Sequence, residues 1–108
     1  MQEYNYKMTF KTAAKAHALK EAPKESCGIV VDDIYYPCNN ISDTPKENFA
    51  IHPKDFLKAR SKGTLQYIVH SHPEGQEPSQ PDIDACKAIK IKWYIYLNTK
   101  DKWSIINP

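Results

Sequence analysis

An apolar, β-branched run, Leu65 to Val69, leads straight into His70-Ser71-His72-Pro73. A polar loop then delivers Ser79-Gln80-Pro81-Asp82. This stretch constrains the fold more than any other. The run reads as a buried strand and the segment from Pro81 to about Lys90 as a helix. Strand side chains alternate faces, so His70 and His72, two apart, point the same way. Two imidazoles on one side are half of a catalytic zinc site, which takes three protein ligands and keeps a fourth position for water. Asp82, in the first turn of the following helix, is the natural third ligand. Pro73, Pro78 and Pro81 stiffen the loop and lower the entropy lost in bringing Asp82 back.

Ser79-Gln80-Pro81-Asp82 also fits S-x-x-D, the pattern of a helix cap. The two readings are compatible: the Ser79 backbone opens the helix while its hydroxyl faces the metal. Zinc lowers the pKa of bound water to about 7. A carboxylate is then needed to take the proton and pass it to a leaving amine. Glu25, at the entrance of the apolar run Cys27 to Val31, is the candidate, provided that strand lies beside the one ending in His70.

The remaining pattern fills out one mixed domain. A first helix is expected from about Tyr6 to Leu19, with Met8, Ala13, Ala14, Ala16 and Leu19 near helical spacing and Pro23 as its stop. Cys27 to Val31 and Ile34 to Ile41 read as a hairpin about Asp32-Asp33, with Pro37 marking an edge or bulge. Asn48 to Ile51 reads as another strand. A short helix begins at Pro53 and ends at Gly63. Ile83, Cys86, Ala88 and Ile89 supply the inner side of the third helix. Trp93 to Leu97 and Trp103 to Ile106 close the chain as strands. The class is α/β (α+β), a mixed sheet packed against helices.

Composition limits the partners. Fifteen basic and thirteen acidic residues leave a net charge of +2. The clusters Lys54, Lys58, Arg60, Lys62 and Lys87, Lys90, Lys92 read as solvated helix faces; a nucleic-acid surface would be denser and free of acids. No apolar run is long enough for a membrane span and no signal-peptide block opens the chain. Cys27, Cys38 and Cys86 form no C-x-x-C pair and read as buried free thiols in a reducing compartment, which places the chain in a cytoplasm. A nucleophilic Cys27 would need a histidine partner, and its apolar strand argues for packing. His17 and His52 read as ordinary polar positions. Tyr35, Tyr36, Trp93, Tyr94 and Tyr96 read as core and sheet surface, some of them lining a groove for an extended peptide.

Together, Glu25, His70-Ser71-His72-Pro73 and Ser79-Gln80-Pro81-Asp82 resemble the signature of the JAMM (MPN-plus, JAB-domain) zinc metallopeptidases. Pro23-Lys24-Glu25-Ser26-Cys27-Gly28-Ile29 is similar to the form around the glutamate in prokaryotic and phage members. Trp93-Tyr94-Ile95-Tyr96 with Asp101-Lys102-Trp103 resembles the ending of this domain in phage tail-assembly proteins. The likeness spans nearly the whole chain and implies one JAB/MPN domain, residues 1–108, of cytidine-deaminase-like architecture. It implies Zn²⁺ on His70, His72 and Asp82, Glu25 as general base and acid, and Ser79 steadying an oxyanion. The bond cut would be a peptide or isopeptide in a protein substrate. The setting would be phage tail-tip assembly, in host cytoplasm or in a virion tail. A stand-alone isopeptidase for ubiquitin-like proteins, or a tail component with a structural zinc, are the competing readings. One departure stands out: only five residues, Glu74 to Pro78, separate Pro73 from Ser79, fewer than is common in the family.

Overall fold

The computed structural model describes residues 9–108. In order the chain forms α1 (Phe10–Glu21), β1 (Cys27–Val31), β2 (Ile34–Cys38), α2 (Pro53–Arg60), β3 (Leu65–His72), α3 (Gln80–Ile89), β4 (Lys92–Leu97) and β5 (Lys102–Ile106), with a short 3₁₀ turn at Asn98–Lys100. Five strands make one sheet in the order β2-β1-β3-β4-β5. Only β3 and β4 run parallel, joined by α3. The expected mixed α/β architecture is what the chain adopts.

The hairpin β1–β2 turns on Asp32-Asp33, both at positive φ, as a two-residue turn of matching twist requires. The pair closing such a turn, Val31 and Ile34, exchanges hydrogen bonds, and pairs then alternate. Gly28 opposite Pro37 therefore falls on a non-bonded pair, and the missing N–H of Pro37 faces the open edge of the sheet. This explains how a proline sits inside β2.

Alternation divides the core into two. Ile29, Val31, Ile68, Trp93, Ile95 and Leu97 face α2 and α3, meeting Ala59, Phe56, Ile83 and Cys86. Val30, Tyr35, Val69 and Tyr94 face α1, meeting Ala14 and Phe10. Cys27, Cys38 and Cys86 are all buried free thiols, as expected.

The structure corrects several boundaries. Tyr6 and Met8 lie outside the described residues, and α1 starts where the Thr9 side chain accepts the Thr12 N–H. Its buried positions are Ala14 and Ala18; Leu19 is 55% exposed. Small residues win there because Tyr35 and Tyr94 fill the space between helix and sheet. Strand β2 ends at Cys38 rather than Ile41, and the expected strand Asn48 to Ile51 is reduced to one bridge between Ile51 and Asn40. Helix α2 stops at Arg60, short of Gly63. Gly63 instead packs against the Asp32 carboxylate. On α3, Ala88 and Ile89 are exposed, and Ala85 joins Ile83 and Cys86 against the core.

Gly28 allows close packing: a Cβ there would stand 2.5 Å from the Tyr36 carbonyl oxygen and 2.6 Å from the Tyr35 ring. Gly28→Ala is expected to cost about 1–3 kcal/mol by overpacking, read as a lower urea midpoint with an unchanged slope.

Candidate metal and catalytic site

Strand β3 runs through the histidines and ends at His72, as their same-face placement requires. Ile68, His70 and His72 share the face covered by α2 and α3. Ser71 points the other way, and its hydroxyl accepts the Ser26 N–H at 2.8 Å while its own N–H donates to the Ser26 carbonyl. With Cys27 opposite His70, these bonds dock the residues before β1 against β3 and set Glu25 beside the histidines. Ligating atoms of Glu25, His70 and His72 lie within 4.8 Å of one another, all three residues buried.

Asp82 approaches from the first turn of α3. Its carboxylate oxygens stand 3.5 Å from His70 Nε2 and 3.3 Å from His72 Nε2. Ligand atoms around one tetrahedral zinc, at about 2.0–2.2 Å each, stand roughly 3.3–3.6 Å apart. Oδ1 makes the approach to His70 and Oδ2 the approach to His72, both near that separation. Both ring nitrogens of His70 are buried and without a hydrogen-bond partner, a costly arrangement for an imidazole with nothing to bind. His72 Nδ1–H donates to the Gln76 carbonyl at 2.6 Å, which in the neutral ring leaves the Nε2 lone pair turned toward Asp82. On these grounds the residues fit a divalent ion of the zinc type.

The electrostatics separate the two acids. Burial pushes Glu25 up to about 7, with His72 pulling it down and Asp82 adding to the rise. Burial acts on Asp82 in the same sense, but the two histidines and the Ser79 N–H outweigh it and hold the carboxyl well below the usual range. Burial lowers His70, against the pull of Asp82. Burial also opposes charge on His72, yet Asp82, the Gln76 carbonyl and Glu25 raise it.

Ser79 caps α3 with its side chain, as the S-x-x-D pattern predicts. Its Oγ accepts the Asp82 N–H at 3.2 Å and its N–H donates to Asp82 Oδ2 at 3.0 Å. This reciprocal pair holds the Asp82 carboxylate toward the histidines. The short loop before it is braced by a turn in which Gly75 N–H donates to the His72 carbonyl, and by a Lys100–Glu77 ion pair at 3.0 Å.

The other sequence candidates play structural parts. His52 Nδ1 accepts the Lys54 N–H at the start of α2, and His17 Nδ1 lies 2.6 Å from the Tyr35 hydroxyl. Burial pushes the Cys27 thiol up to about 12, out of reach of nucleophilic chemistry at neutral pH.

Two further contributors were not legible beforehand. Asn40 is a hub: its amide donates to the carbonyls of Glu25 and Asn48, each at 3.0 Å, and its Oδ1 accepts the Ser42 and Ala50 N–H groups. With the Glu25 N–H donating to Pro45, the loop after β2 grips the Glu25 backbone from both sides. That loop carries Phe49, whose ring stacks on His70 at 4.3 Å. Asn40→Ala is expected to cost about 1–3 kcal/mol. Hydrogen exchange should speed up at Ser42 and Ala50 while β3 and β4 stay protected.

The fold and the site together define a class. The chain belongs to the prokaryotic homologues of the JAB domain, whose model matches residues 11–106. It is 41% identical over 88 residues to the tail tip assembly protein K of Escherichia phage N15, covering 77% of this chain and 36% of that protein. The chain thus spans about a third of that relative's length. The solution structure of protein DSY2949 from Desulfitobacterium hafniense superposes with a TM-score of 0.70 at 26% identity, covering 89% of this chain and 76% of that one. Among the described residues, no helix is long and apolar enough to cross a membrane.

Proposed function

We propose that the chain is a zinc-dependent hydrolase of peptide or isopeptide bonds, acting on a protein substrate during assembly of a phage tail tip. The observation that carries this reading is the convergence of Asp82 on both Nε2 atoms, with Glu25 at the same centre. His70, His72 and Asp82 would hold the ion. Zinc, when bound, supplies a Lewis acid that makes water acidic near neutral pH.

The chain's own residues account for the rest. Glu25, raised to about 7, can accept the water proton and return it to the leaving amine, since a general acid–base works best near the operating pH. The Ser79 oxygen already accepts the Asp82 N–H, but a hydroxyl keeps its own proton to donate. That proton suits the carbonyl oxygen of the scissile amide as it gains charge. Glu25, His72, Ser79 and Asp82 all line one open groove, so a chain segment can reach them. The tail-tip setting, with tail proteins as partners, rests on the relative from phage N15.

Incubation of the zinc-loaded protein with a peptide mixture tests the activity. Cleavage products should appear by mass spectrometry, vanish after chelation and return with zinc. Products unaffected by chelation would exclude a metal-dependent reaction.

A further inference from the structure

The groove that opens from the site has a volume of about 690 Å³, within the roughly 300–1,000 Å³ typical of ligand pockets. Polar side chains line it at the site, and Lys46, Glu47 and Asn48 add to them. Its apolar part is built from Phe49, Ile51, Phe56, Ala85, Ile89 and Trp93. Phe49 joins this apolar part to the site, since it stacks on His70 and meets Trp93 edge-on at 5.6 Å. Pro81, Ala85 and Ile89 follow one another at four-residue spacing along α3, so a single helix face forms one wall. Ala85 leaves room there, and Ile89 stays 48% exposed at the rim.

We infer that this apolar part receives a large aliphatic or aromatic side chain of the substrate, next to the bond that is cut. The inference rests on the reading that the site acts on a polypeptide. A slim glycine-rich tail would leave this apolar surface wet, whereas a leucine or phenylalanine side chain would cover it. Continuity with the site identifies the occupant: whatever backbone lies across Glu25 and Asp82 has its neighbouring side chain over Phe49 and Ala85.

The test is binding rather than turnover. The zinc-loaded, ¹⁵N-labelled Glu25→Gln protein is titrated with blocked alanine-based pentapeptides whose central residue is Leu, Phe, Gly or Lys. Leu and Phe peptides should shift the Ala85 and Ile89 amides and the Trp93 indole. They should bind at least about tenfold more tightly than the Gly peptide. Ile89→Glu should remove that advantage, and Leu57→Glu, 66% exposed on α2 and outside the groove lining, should preserve it. Equal affinity for Gly or Lys, shifts elsewhere, or no shifts at all would overturn the pocket. Cleavage by the wild-type protein reports separately. Cleavage without apolar preference sinks the pocket alone, and apolar preference without any cleavage sinks the hydrolase reading alone.

Discussion

Glu25→Gln is expected to slow hydrolysis by about 10²–10⁴-fold, the usual contribution of a general acid–base, while the protein stays folded. The amide keeps the shape of the side chain and removes its ability to take a proton. The same variant has a second signature in the metal-free protein. Burial raises Glu25 from 4.5 to about 7, so between those values the folded chain binds more protons than the unfolded one. Linkage then requires the wild-type chain to lose stability as pH rises through that window. Glu25→Gln lacks the titration, so its melting temperature should gain on the wild type between pH 4.5 and 7 and hold the advantage above. An unchanged rate in this variant would favour a tail component whose metal only braces the fold.

His70→Ala is expected to abolish both the activity and the response to metal. Zinc at about a hundred times its dissociation constant would stabilise the wild-type chain by about 2.7 kcal/mol, on the order of 10 °C in Tm for a domain of this size. In the variant that increment should disappear. His70 is 1% exposed, under Phe49 and beside Trp93, so the metal-free variant should also melt lower through lost packing. Metal-induced stabilisation that survives the substitution would move the ion away from His70.

Much of the site was legible because it depends on short-range rules. Strand alternation alone turns His70 and His72 to one face, and a helix-opening S-x-x-D fixes where Asp82 begins. The pairing of β1 with β3, which carries Glu25 to the histidines, was only a condition in the sequence; the register Cys27 to His70 meets it. What escaped depends on contacts across the chain. Nothing near Asn40 signals that its side chain ties Glu25 to residues 42–50. Phe49, expected in a strand, is instead a loop residue covering an imidazole. The inner face of α1 escapes the pattern because apolarity marks candidates for burial, but the aromatic side chains of the sheet decide which of them fit. Ile89, expected in the core, lines the groove instead.

The proposed function divides the labour between two carboxylates that both stand near the histidines. Zinc per chain, measured by elemental analysis of wild type, Glu25→Gln and Asp82→Asn purified side by side, tests it most directly. One zinc in the wild type, one in Glu25→Gln and strongly reduced zinc in Asp82→Asn is the predicted result. A wild-type chain without zinc, or zinc lost from Glu25→Gln and kept by Asp82→Asn, would contradict it.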